Sequence, residues 1–230
     1  MDVMNIDSSA FEFLKNLKAN NNRDWFEANK KIYQQEEKKL KQFFTELQNG
    51  LNQFEVIEKM KIFRIYKDVR FSKDKTPYKT NRGANWMRAG AHRRGSYYLQ
   101  IEPGNSFVAG GFFQPNPEDL LRIRKEFEMD ATEIRTILSN PQFQKTYGGF
   151  AAYDQLKTAP KGFDKDHPNI DLIRNKNFFV SHSYTDDEVL SKGFSGKVLQ
   201  HFQLLLPFFN YMSEVLTTDL NGVSLLSGDD

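Results

Sequence analysis

The apolar residues of this chain change period sharply at Asn49-Gly50, and that change limits the folds open to it. Before it, Trp25, Phe26, Ile32, Tyr33, Leu40, Phe43, Phe44 and Leu47 form the stripe of one amphipathic helix, from Arg23 to about Leu47. After it, the period is two. Phe63 and Ile65 alternate with Ile62, Arg64 and Tyr66 in a first strand. Ala84, Trp86 and Arg88 alternate with Asn85, Met87 and Ala89 in a second, and Tyr97, Leu99 and Ile101 with Tyr98, Gln100 and Glu102 in a third. Pro103-Gly104-Asn105 marks a turn, and Ser106 to Phe113 returns as a fourth strand. Links this short, without helical crossovers, specify an antiparallel meander.

Helical signals flank the meander. Ser8 or Ser9 is placed to cap a first short helix carrying Phe11, Leu14 and Leu17, and Asn20-Asn21-Asn22 breaks and recaps the chain. The charged run of Glu36, Glu37, Lys38, Lys39 and Lys41 reads as a solvated helix face. Helix resumes after Pro115-Asn116-Pro117 on Leu120, Leu121, Ile123 and Phe127, then in short pieces through Leu138 and after Pro141. A fifth strand is expected from Asn177 to Ser183, a helix start at Asp186-Asp187-Glu188, and a last helix from Ser195 to Leu216 kinked at Pro207. The pattern is α+β: an antiparallel sheet of about four to five strands packed by helices from the N- and C-terminal parts. A single domain over residues 1–216 and a frayed polar tail over 217–230 are expected, with 21 Phe to fill the core.

Charge is segregated. Between Lys59 and Arg94 stand twelve Lys or Arg and two acids, Asp68 and Asp74, a balance of +10 in a chain whose total is +2; the remainder sums to −8. Such a segment should attract phosphate, carboxylate or a polyanion. The absence of Cys excludes disulfides, thiolate metal sites and cysteine nucleophiles. Met1 to Asp7 lacks a basic region followed by an apolar one, so no signal peptide is expected. Phe202 to Met212 holds Gln203, Pro207 and Asn210 and is too short for a bilayer, so no membrane partner and a cytoplasmic location are expected.

The longest connection in the meander, Lys67 to Thr80, is basic and interrupted by Pro77. Arg64 and Arg70 are suited to bidentate oxyanion binding, with Lys75, Lys79 and Arg88 as further cations and Tyr78 beside them. Asp68 and Asp74, surrounded by cations, suit orienting those groups. The same residues also describe a structural network of Arg64–Asp68 and Asp74–Lys75 ion pairs. Tyr66, Phe71, Tyr78 and Trp86 read either as stacking platforms for bases or as core. A second loop, Pro160 to Pro168, offers Lys161, Asp166 and His167 near a helix start, or a tight turn capped by Asp166. With four His and no His-x-x-x-His pair, neither metal nor cofactor is expected. Gly110-Gly111 and Gly148-Gly149 match no phosphate loop, and no nucleophile elbow is present.

The run Arg64-x-x-Lys67-Asp68-x-Arg70-Phe71-x-x-Asp74-Lys75-x-x-Tyr78 resembles the signature of a bacterial and fungal family of conserved hypothetical proteins, a domain of unknown function. Asn22 to Lys30 and Pro160 to Pro168 reinforce the resemblance, which covers essentially the whole chain; Lys67 stands where members often carry Arg. The resemblance implies that one constraint joins Arg64, Asp68, Arg70, Lys75 and Tyr78, and it supplies no activity, substrate or cofactor. The expectation is an anion-binding protein for a phosphate-containing ligand or nucleic acid. The alternatives are an enzyme on a small phosphorylated or carboxylated substrate, or an interaction module for an acidic protein partner.

Overall fold

The computed structural model describes residues 5–151 and 155–226. Five antiparallel strands form one sheet in sequence order: β1 (Ile57–Ile62), β2 (Arg82–Arg88), β3 (Ser96–Ile101), β4 (Ser106–Phe112) and β5 (Phe178–Tyr184). Helices flank the sheet, and the fold is α+β. Strands two to five fall where the alternation places them. The first does not: β1 ends at Ile62, and the alternating stretch Phe63 to Tyr66 continues beyond it, held by Phe63 N–H donating to the Gly83 carbonyl and by a bridge between Tyr66 and Tyr78.

The chain divides into two compact units. The first comprises the chain through Trp86 with Tyr98–Val108 and Ser183–Gln200. Its helices include α1 (Ser8–Ala19), α2 (Arg23–Ala28) and α3 (Lys30–Leu51). The single helix expected from Arg23 is thus two. Asn29 leaves helical geometry at φ −107°, ψ 11°, and its side-chain amide donates to the Trp25 carbonyl, closing α2 before α3 begins. Asn22 caps α2 by accepting the Trp25 N–H, whereas α1 starts after Asp7 without a side-chain cap. Leu40, Phe43, Phe44, Leu47 and Leu51 of α3 are buried, with Phe44 edge-on to Trp86 of β2 and Phe43 stacked with Phe194.

The charged side of α3 is only partly solvated. Glu36 is buried, and Glu37 holds the buried Arg82. In the same unit Thr185 and Glu188 form a capping box at α8 (Asp186–Leu190); α7 (Ile170–Ile173), which precedes it in the chain, belongs to the second unit.

The second unit holds Met87–Tyr97, Ala109–His182 and the chain from His201. It contains α4 (Pro117–Met129), α5 (Thr132–Ser139) and α6 (Pro141–Tyr147), with Asn116 and Asn140 capping α4 and α6. The expected last helix breaks into α9 (Phe194–Gln203) and α10 (Leu206–Thr217), because Pro207 has no N–H and fits the first turn of a new helix. Phe208, Phe209 and Met212 of α10 form the centre of this core. A Cβ on Gly110 would lie 2.3 Å from Leu205, and one on Gly111, at φ +139°, would lie 2.3 Å from the Phe178 carbonyl oxygen. That glycine pair therefore serves close packing. Of the expected tail, residues 218–226 close a turn through the Thr218–Ser224 bridge, and 227–230 lie outside the described residues. Among the described residues no helix is long and apolar enough to cross a membrane.

Candidate functional site

The basic segment rises from the first unit on a neck two residues wide. Lys67 N–H donates to the Pro77 carbonyl and Lys79 N–H to the Ile65 carbonyl, so residues 65–67 run antiparallel to 77–79. Ile65 and Tyr78 point inward and pack with Phe13, Leu14, Leu17 and Phe26. Tyr78, 3% exposed, lies on the Phe26 ring at 4.0 Å. Asn21 pins the same position like an added strand: its carboxamide accepts the Tyr78 N–H and donates to the Tyr78 carbonyl. Tyr78 is therefore an anchor of the loop and not a ligand group, and burial raises its phenol above the ordinary tyrosine value.

Beyond the neck the loop neutralises much of its own charge. Asp68 accepts a two-pronged hydrogen bond from the Arg70 guanidinium at 2.9 and 2.6 Å, which holds the carboxyl below the usual range; the charge of Arg64 adds to the effect. Asp74 accepts from the Lys67 ammonium at 2.7 Å and from the Thr76 N–H and hydroxyl, and its carboxyl is lowered further. The pairs are thus Arg70–Asp68 and Lys67–Asp74, in place of the Arg64–Asp68 and Asp74–Lys75 pairs suggested by sequence proximity. One ammonium satisfies Asp74, so Lys at position 67 serves without a guanidinium fork. Lys75 donates to the Val69 carbonyl. Phe71, at the tip, is 96% exposed.

Arg88 stands apart from these cations. It is 5% exposed in the second unit, where its guanidinium donates to the carbonyls of Arg94 and Phe209, to the Ser213 hydroxyl and to the Asn210 side chain. It also lies over the Phe209 ring at 5.0 Å. An alternating strand position brought it inward, and its charge serves the packing of α10. Trp86 is likewise wholly buried, and Tyr66, 47% exposed, leans on Phe26 and Tyr78.

Three of the cations left open, Lys61, Arg64 and Lys79, lie near one another at the root of the loop. Lys79 is half-buried, and its ammonium is pulled below the ordinary lysine value first by burial, then by the charges of Arg82, Arg64 and Lys61. Arg82 is itself balanced: Nε donates to Glu37 at 2.7 Å, a second nitrogen reaches the other carboxylate oxygen, and Nη1 donates to the Phe63 carbonyl at 2.6 Å. Among the described residues no carboxylate forms an ion pair with Lys61, Arg64 or Lys79, and the Lys61 and Lys79 ammonium groups each sit 5.4 Å from the centre of the Phe63 ring. Lys61, Phe63 and Arg82 were absent from the sequence-derived site. The alternation around Phe63 was the available signal, obscured by the shift of β1.

The second loop lies in the other unit and is closed by its own polar groups. Asp164, and not Asp166, is the turn acceptor for the Asp166 N–H, and His167 Nδ1 accepts the Asn169 N–H. Lys161 and Asp166 are exposed. Elsewhere in that unit the rings of His182 and His201 lie 4.5 Å apart, a pair that sequence spacing did not suggest. Among the described residues no group of three or more His, Asp or Glu is gathered for a metal ion. In the first unit a cavity of about 260 Å³ is lined by Leu14, Lys15, Lys18, Thr80, Glu102, Pro103, Gly104 and Asp186, with cations and acids mixed.

No curated protein and no solved structure matches the chain. A profile of conserved hypothetical proteins spans residues 9–211, from α1 into α10 and across the whole sheet and basic loop. The chain belongs to that family, the conserved hypothetical protein family DUF2461.

Proposed function

We propose that this is an anion-binding protein whose phosphate-containing ligand is held by Lys61, Arg64 and Lys79 at the root of the basic loop. The observation that carries this reading is the state of Lys79. A half-buried ammonium lowered first by burial and then by neighbouring cations, and ion-paired with no carboxylate among the described residues, gains most from an incoming anion. Arg64 supplies a fork and the two lysines supply point charges. Asp68 and Asp74 act as the orienting residues, holding Arg70 and Lys67 and so fixing the loop above the site. Arg70 and Lys75 line the approach.

The enzymatic alternative draws no comparable support, because Tyr78 is enclosed and its phenol raised, away from proton transfer at neutral pH. Isothermal titration with pyrophosphate tests the reading. Lys79→Ala and Arg64→Ala should each weaken binding at least about 10-fold, the effect of losing a charged hydrogen bond, while Arg70→Ala has the smaller effect. Equal affinities for all three variants would refute it.

A further inference from the structure

The same root opens onto an aromatic surface. In the first unit Phe63, Tyr98 and Phe107 lie side by side: Tyr98 alternates with the buried Tyr97 and Leu99, Phe107 with the buried Ser106 and Val108, and Phe63, just past β1, is held beside Tyr98 by its N–H bond to the Gly83 carbonyl. Their buried neighbours are 0% exposed, whereas the three rings stay partly open. They form a row, with centroids 5.9 Å apart from Phe63 to Tyr98 and 5.7 Å from Tyr98 to Phe107. Gly83 makes room for it: a Cβ there would lie 2.7 Å from the Tyr98 hydroxyl. That hydroxyl donates to Gln100, whose amide donates to Glu102, so the middle ring is held in place. The Arg82 guanidinium holds the Phe63 backbone from below.

Cations border this row at the Phe63 end, where Lys61 and Lys79 flank the ring. The acid near the middle ring, Glu102, is occupied by neutral donors: the Thr80 hydroxyl, Gln100 and Asn105. Open rings beside unpaired cations match a ligand that alternates flat bases with phosphates. An acidic peptide would use the cations and leave the exposed ring surface unused, and a duplex keeps its base faces stacked internally.

We infer that the ligand is a single-stranded nucleic acid, with bases stacked on Phe63, Tyr98 and Phe107 and the backbone on Lys61, Arg64 and Lys79. The inference rests on the anion-binding reading above and adds the rings to it. Contacts to about three phosphates give a salt dependence of log K near −2 on log salt, and each ring contributes roughly 5- to 100-fold in affinity.

The test is fluorescence anisotropy of the full chain with a labelled single-stranded 12-mer at low salt, alongside pyrophosphate titration. Phe63→Leu and Tyr98→Leu keep apolar bulk and remove stacking. Phe71→Ser is the surface control, and circular dichroism checks that each variant is folded. The expected result is at least about 5-fold loss for each ring variant, no loss for Phe71→Ser, weaker binding of a 12-base-pair duplex, and unchanged pyrophosphate affinity throughout. Pyrophosphate binding that depends on Lys79, with the 12-mer indifferent to the ring variants, overturns the stacking inference and leaves the anion site standing. Competition by polyglutamate equal to that by the 12-mer, with ring variants unaffected, assigns the surface to an acidic protein and also overturns it. Binding of neither probe removes both readings.

Discussion

Arg82 and Tyr78 show how far a residue's role depends on burial. Both stand in the basic stretch, yet one is an internal tie and the other a core anchor. Arg82, 2% exposed, joins α3 to β2 through Glu37. Glu37→Ala strands its guanidinium and should destabilise the fold by about 3 kcal/mol in urea denaturation, and Arg82→Lys with Glu37 retained should also destabilise it, because one ammonium cannot bridge both carboxylate oxygens and the Phe63 carbonyl. Tyr78→Ala removes the ring stacked on Phe26 and should cost about 3–5 kcal/mol in the same measurement. Phe71→Ser, at 96% exposure, should change stability by less than about 0.5 kcal/mol. The basic character of the segment was legible in the chain, and so were Arg64 and Lys79. Which cations stay open was not, because Arg88 alternates into the core and Glu37 comes from a helix 45 residues away.

At the level of elements, period and punctuation carried most of the information. Asn116, Pro141, Pro207 and the Asp186–Glu188 run all mark real boundaries. The break between α2 and α3 was hidden because the apolar stripe continues across Asn29, whose backbone N–H and side-chain amide both bond back to carbonyls of α2 and close it. The first strand was displaced because Phe63 to Tyr66 alternates as well as β1 does, while β1 itself, Ile-Glu-Lys-Met-Lys-Ile, carries charges suited to an edge.

One element has a pH signature. Glu188 is lowered to about 2, chiefly by the hydrogen bond from Lys197 and then by the Thr185 N–H. A carboxyl depressed in the folded state stabilises above its unfolded value near 4.5, and that contribution fades as pH falls toward 2. Thermal melts by circular dichroism between pH 2 and 6 should therefore lose part of their acid dependence in Glu188→Gln, which retains the capping geometry.

Across the whole molecule the charge anomaly resolves into two populations. Lys67, Arg70, Arg82 and Arg94 direct their charge to Asp74, Asp68, Glu37 and Asp119. Lys61, Arg64 and Lys79 keep theirs available beside an open aromatic row. Asp68 and Asp74 are already counted in the +10 of this segment, so Glu37 and Asp119 offset only part of it, and Lys61, Arg64 and Lys79 form an uncompensated centre. The depressed ammonium of Lys79 reports on that centre. In the unliganded protein, stability should rise as pH climbs from its lowered value toward 10.5, because the unfolded chain holds that proton longer.

The direct test is an NMR titration of the Lys79 side chain, assigned by Lys79→Arg, with and without pyrophosphate. Without it, Lys79 should titrate below an ordinary lysine; with it, the pKa should move up as the anion offsets Arg64, Arg82 and Lys61. A Lys79 that titrates at the ordinary value and stays there when pyrophosphate is added would contradict the account.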